Sequence, residues 1–268
     1  MRPKNGMVDV DGAELYFEAA GGGEPLVLVH AGIADARMWE GQFAPFAERH
    51  LTIRYDMRGF GRSVLAPGPF SHHEDLRVLL DRLGVGRTSL VGCSMGGATV
   101  LDLALENPER VEALVLVCSA VGGFEFDGEP PGEWQEIVAA EEAGDLDRVS
   151  ELEVRMWVDG PGRVPDVVDP AVRDLVRGMN LIALQNEALG LGEEQEPETP
   201  AVARLSEIQA PTLILVGDED QPRTLAAADL LARDLPNARK VVMPGTAHLP
   251  NMERPEEFNN LVLDFLRG

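Results

Sequence analysis

The chain has 268 residues, 44% hydrophobic and 26% charged, and its 46 Asp and Glu against 23 Lys and Arg leave a formal net charge of −23. That length is enough to bury a full core, as one large domain or as a domain carrying a sizeable insertion. The acidic excess excludes nucleic acid and anionic membranes as partners, because both need clustered positive charge, and two cysteines, Cys93 and Cys118, are too few for a disulfide framework or a structural zinc site.

The start, Met1 to Gly6, is polar and leads into no apolar run, so no signal peptide is expected. No stretch approaches the roughly 18 apolar residues of a spanning helix, and a cytoplasmic chain is the expectation. The segment 7–18 reads as a hairpin turning at Asp11-Gly12. Short apolar runs follow at 26–30, 51–55, 88–92, 113–118, 212–216 and 239–243. They are continuous rather than alternating, the pattern of strands covered by helices on both faces. Helical patterns near 72–83, 94–106, 224–234 and 255–266 supply that cover. The alternation predicts an α/β fold, doubly wound, with a mostly parallel sheet.

Between 121 and 205 the rhythm breaks. This stretch has no convincing buried strand, is punctuated by Gly and Pro, and holds helical patterns near 133–143, 146–157 and 170–189. It carries 20 Asp and Glu against 6 Arg, most of the chain's acidic excess. It reads as a helical cap, 121–205, inserted into a core made of 1–120 and 206–268. A solvated helical cover with no further role is the plainer alternative.

The strongest chemical signal is Gly92-Cys93-Ser94-Met95-Gly96-Gly97, directly after one apolar run and at the start of a helical pattern. In a strand–turn–helix context, Gly-x-Ser-x-Gly is a nucleophile elbow: a sharp turn exposes the serine hydroxyl over a helix N-terminus that favours developing negative charge. A serine needs a base, and the base needs a group to orient it. Among five histidines, His248 lies in a loop after the last strand and before the last helix, where sites of open α/β sheets gather. His72 and His73 start a helix and read as capping or surface residues. The acid should lie between Ser94 and His248. Val216-Gly217-Asp218-Glu219-Asp220 follows a strand there, and Gly-x-x-Asp spacing selects Asp220, with Asp218 and Glu219 as competitors. An oxyanion hole would use the backbone N–H of Met95 and one from the loop after 26–30, Gly32 first and Ile33 second. His30 then braces that loop rather than moving protons.

With these motifs together the chain resembles the α/β-hydrolase fold superfamily, in particular its cap-bearing serine hydrolases. The resemblance spans nearly the whole length. It rests on the Asp11-Gly12 hairpin, the His30-Ala31-Gly32 loop, Asp56-Met-Arg-Gly-Phe-Gly-Arg-Ser63 and the elbow, and on Gly217-x-x-Asp220 and Gly245-Thr-Ala-His248 with Glu253-Arg-Pro255. It implies an eight-stranded sheet, a helical cap inserted after strand six, and a Ser94–Asp220–His248 triad. Three positions depart from the family's habit: Ala31 where Gly is usual, Cys93 before the nucleophile, and Ala247 before the histidine.

A serine nucleophile sets aside the related branches that use Asp, the haloalkane dehalogenases and epoxide hydrolases. A carboxylesterase acting on a small-to-medium neutral ester is the expectation, with enol-lactone or C–C bond hydrolysis of a vinylogous diketone as the alternative and a non-catalytic ligand receptor behind both. Ile33, Met38, Trp39, Trp134 and Trp157 are the expected pocket. No cofactor or metal is called for, and a monomer or homodimer is expected.

Overall fold

The computed structural model describes residues 4–267; Met1 to Pro3, the first half of the polar start, lie outside the described residues. The described strands are, in chain order, β1 (Lys4–Val10), β2 (Ala13–Gly21), β3 (Pro25–Val29), β4 (Leu51–Tyr55), β5 (Pro69–Phe70), β6 (Thr88–Cys93), β7 (Val111–Val117), β8 (Glu193–Glu194), β9 (Thr212–Gly217) and β10 (Ala238–Met243). Eight of them form one sheet in the order β1-β2-β4-β3-β6-β7-β9-β10. The hairpin β1–β2 turns through Asp11 (φ +48°) and Gly12 (φ +85°), the two left-handed residues that a tight hairpin of this hand demands. β2 also pairs antiparallel with β4, and from β4 to β10 every neighbour is parallel.

The central strands β3, β6, β7 and β9 are buried almost throughout, as their continuous apolar runs predict. β10 differs. It is the last strand in the order, has one neighbour, and leaves Val242 43% exposed, so its apolar run is covered on less of its surface than expected. Helices α1 (Glu40–Ala47), α2 (His72–Leu83), α3 (Met95–Glu106), α7 (Pro222–Asp234), α8 (Pro250–Glu253) and α9 (Pro255–Phe265) flank the sheet, α1 packing on α9 and α2 on α3.

Between β7 and β9, the sixth and seventh strands of the sheet, the chain forms α4 (Trp134–Glu142), α5 (Leu146–Val154), a π-helical turn at Arg155–Asp159 and α6 (Pro170–Glu187). Ile137, Ala140, Val149, Leu152 and Met156 make a small apolar cluster of their own there. β8 returns from this segment to pair with β5, with Phe70 opposite Glu194. A two-residue strand pair is too short for hydrophobic periodicity to reveal. It fastens the end of the helical segment beside the loop before α2. Among the described residues no helix is long and apolar enough to cross a membrane.

Candidate active site

Ser94 sits between the end of β6 and the start of α3 with φ +53° and ψ −114°. A non-glycine residue in such a region costs of order 1–3 kcal/mol and persists only where its surroundings fix it. Here they do: the Ser94 N–H donates to the Val117 carbonyl at 2.9 Å, and the Ser94 carbonyl accepts from Gly97, Ala98 and Ala120. The turn is tight enough that a Cβ on Gly92 would overlap the Gly96 carbonyl, and one on Gly96 would overlap the carbonyls of Val29 and His30. The glycines of the motif are therefore steric requirements of the elbow.

His248 stands in the loop after β10, its side chain 4% exposed. Its Nδ1 donates to the Asp220 carboxylate, at 2.8 Å to Oδ2 and 3.1 Å to Oδ1. Asp220 is buried and also accepts the Gln221 N–H at 2.6 Å, whereas Asp218 and Glu219 are exposed. Asp218 has a different task, accepting the Gly245 N–H at 2.6 Å and so tying the turn after β9 to the histidine loop. Of the three carboxylates in that turn, Asp220 alone reaches the imidazole. With Nδ1 committed to Asp220, the Nε2 lone pair is free to accept a proton.

Ser94 and His248 line one cavity of about 90 Å³, together with Trp157, Cys118, Ser119 and Phe124. Gly32 lies against Met95, since a Cβ added there would be 3.6 Å from the Met95 sulfur. Among the described residues the N–H groups of Gly32, Ile33 and Met95 donate to no backbone acceptor. Gly32, in the loop after β3, thus lies against the residue that follows the serine. Fully buried His30 supports this loop. Its Nε2 accepts the Met57 N–H at 2.9 Å, which leaves the proton on Nδ1, donated to the Ala31 carbonyl at 2.8 Å. Burial holds its pKa down to about 4, so it stays neutral and bridges the loops after β3 and β4.

Gly32, Ile33 and Met95 also line a second cavity of about 440 Å³ beneath α6 and β8. Of the expected pocket residues, Ile33 faces this cavity and Trp157 the smaller one. Three do not belong there. Trp134 opens α4 and is 50% exposed; Trp39 is fully buried against Phe258. Met38 is buried, its sulfur accepting the Ala31 N–H at 3.3 Å beneath the loop. Residue type suggested a lining; which side of its element each residue occupies decided otherwise. His72, read as capping or surface, is instead 6% exposed and lines the larger cavity. Its position at the head of a helix gave no hint that β8 would fold over it.

Both cysteines are free and buried under the histidine loop, Cys93 Sγ lying 3.8 Å from the His248 carbonyl and Cys118 Sγ 3.8 Å from that of Ala247. Burial, reinforced by the Asp220 charge, pushes both thiols up, which keeps them protonated and poor nucleophiles. Cys118, Asp220 and His248 have side-chain donor atoms within 4.8 Å of one another, types that a metal could use. As arranged, the carboxylate and imidazole already share a proton, so the group is built as an acid–base pair beside a neutral thiol. Sequence reading also left Glu253 without a role. One of its oxygens accepts the Ala247 N–H at 2.6 Å and the other pairs with Arg163 at 2.7 Å, so it braces the histidine loop from behind.

The chain is similar to known proteins in sequence and in fold. A family model described as alpha/beta hydrolase fold matches residues 24–255. The 2-hydroxy-6-oxononadienedioate/2-hydroxy-6-oxononatrienedioate hydrolase of Burkholderia vietnamiensis is 30% identical, over 96% of this chain and 93% of its own. The pimeloyl-[acyl-carrier protein] methyl ester esterase of Nitrosomonas europaea is 29% identical, over 92% of this chain and 97% of its own. Among solved structures, the enol-lactonase of Burkholderia xenovorans superposes with a TM-score of 0.80 at 26% identity, over 98% of this chain and 100% of that one.

Proposed function

The chain belongs to the α/β-hydrolase fold family, and from that premise we propose that it is a serine hydrolase cleaving a small-to-medium neutral carboxylic ester through an acyl-enzyme. The observation that carries this reading is the buried Asp220–His248 pair opening, with Ser94, onto one cavity. His248 Nε2 takes the Ser94 proton as Oγ attacks the ester carbonyl. The N–H groups of Gly32 and Met95 stabilise the oxyanion of the tetrahedral intermediate, and Asp220 stabilises the imidazolium. His248 then gives its proton to the departing alcohol, and water, deprotonated by the same nitrogen, releases the acid and restores Ser94. Residues 121–205 serve as the cap over this centre.

Turnover of p-nitrophenyl butyrate by the purified protein, lost in Ser94→Ala, is the expected result; activity that survives the substitution would sink the reading. A second reading, hydrolysis of an enol-lactone or of a carbon–carbon bond, is favoured by relatives of similar identity that carry those names. A panel of esters, lactones and vinylogous diketones decides between them. Stoichiometric labelling of Ser94 without turnover would instead make the protein a ligand receptor.

A further inference from the structure

The larger cavity has a charge pattern that the serine chemistry does not require. It begins at Gly32 and Met95 and is lined by four charged side chains: Glu153, Glu187, Glu194 and Arg58. Arg58 is paired with Asp75. Its Nε and Nη2 each donate to one Asp75 oxygen at 2.7 Å, and its side chain is 3% exposed. The carboxylates have no such cation. Glu153 accepts only from the neutral Asn180 amide, at 2.6 Å, and burial together with Glu141 and Glu187 pushes its pKa up. Glu194 is pushed up as well, by burial and by Glu196. Its nearest basic neighbour is His72, 3.8 Å away, and burial drives that imidazole down to about 3, so it is uncharged.

His72 is a second polar group in this wall. It is 6% exposed, it lines the cavity, and its Nδ1 has no hydrogen-bond partner. A buried polar atom left unpaired costs about 1–3 kcal/mol unless something fills it. A neutral imidazole turning an N–H towards Glu194 leaves that nitrogen as an acceptor. The walls thus offer negative charge and the ring of Phe60, while the lining cation Arg58 is paired with Asp75 and lies 4.8 Å over the Phe70 ring. An ammonium group answers this charge and this ring together, as counter-charge to the carboxylates and as a cation beside an aromatic face. A carboxylate entering the same space would face three like charges. The chain's net charge of −23 pulls in the same direction.

We propose that this cavity binds a positively charged, ammonium-type part of the substrate, held by Glu153 and Glu194 beside Phe60 and His72, while the ester carbonyl lies at Ser94. This rests on the serine-hydrolase reading and replaces its neutral ester with one bearing a cation remote from the scissile bond. Three butyrate esters test it: those of 2-(trimethylammonio)ethanol, of its uncharged isostere 3,3-dimethylbutanol, and of 3-hydroxypropanoate. Titration calorimetry on Ser94→Ala, which binds without turnover, should give a Kd for the ammonium ester about tenfold below that of the isostere, with the carboxylated ester weakest. Glu153→Gln and, at an exposed position that does not threaten folding, Glu194→Gln should each shrink that ratio by about threefold. Equal Kd values for the first two esters, or tightest binding of the carboxylate, overturn the proposal. Turnover of p-nitrophenyl butyrate by the unsubstituted protein is read separately. Turnover with no ammonium preference overturns the cavity's assignment alone, and ammonium preference with no turnover overturns the hydrolase reading alone.

Discussion

Trp157 holds His248 from two directions: its carbonyl accepts the His248 N–H at 3.3 Å, and its indole lies 4.5 Å from the imidazole, tilted by 39°. Trp157 belongs to the π-helical turn that ends α5, and the preceding residue, Met156, accepts the Gln221 side-chain amide at 2.6 Å. Widened helical turns of this kind are frequent at functional sites. Here the turn brings the helical segment between β7 and β9 against the loops of both Asp220 and His248. The His248 and Asp220 side chains are 4% and 1% exposed, and burial raises the electrostatic strength of their hydrogen bond.

Replacing that ring should therefore cost rate before it costs stability. Trp157→Ala should lower kcat for p-nitrophenyl butyrate by about ten- to a hundredfold, the scale of a misplaced catalytic group. Trp157→Phe, which keeps a ring in place, should stay within about threefold. Unchanged kcat in Trp157→Ala would show that the loop holds His248 unaided.

The turn after β9 makes a sharper comparison, because two aspartates in it do different work. Asp220→Asn reverses the hydrogen-bond character facing His248 Nδ1 and favours the wrong tautomer, so kcat should fall by about 10⁴. Asp218→Asn keeps an oxygen for the Gly245 N–H and should remain within about threefold. Equal losses would mean that Asp218 acts through the loop rather than merely joining it.

These two residues also mark the limit of what the sequence could reveal. The parallel strands were legible because strands buried on both faces must be apolar throughout, and β9 is. β10 was legible as a strand but not as an edge, since exposure depends on neighbours in the sheet. The elbow was legible because its glycines answer a local steric demand. Choosing Asp220 over Asp218 called on Gly-x-x-Asp spacing, while the physical reason, burial against His248, appears only once the loops meet. The pocket was the least legible part. Trp39, Trp134 and Met38 have suitable side chains on unsuitable sides, and His72 is enclosed by a segment more than a hundred residues away.

Glu253 joins stability to the site. It pairs with Arg163 where both side chains are under 10% exposed, and it caps the Ala247 N–H beside His248. Glu253→Gln leaves the Arg163 charge buried without a partner, a loss of about 3 kcal/mol. Scanning calorimetry should show Tm lowered by roughly 6–12 °C. Arg163→Met in the same chain should recover part of that loss, since the orphaned charge is then gone. A double variant no more stable than Glu253→Gln would place the whole cost in the Ala247 hydrogen bond.

The pH dependence of stability should carry a contribution from His72. Its folded pKa is depressed to about 3, chiefly by burial, against an ordinary value of 6.5. A depressed pKa means that the unfolded chain binds the proton first as pH falls. The contribution is therefore fully present above 6.5 and is lost between 6.5 and about 3, at about 1.4 kcal/mol per pH unit. Asp56 and Asp102, both held up at about 6, act in the opposite sense between roughly 4 and 6, so the total curve mixes signs. The difference between the unsubstituted chain and His72→Gln removes them, because they are common to both. Urea melts from pH 7 to pH 4 should show the stability advantage of the unsubstituted chain shrinking, at close to that slope, once pH falls below 6.5. A gap that stays constant over this range would mean that His72 takes up its proton equally in the folded and unfolded chains, and so is not enclosed by β8 as the structure has it.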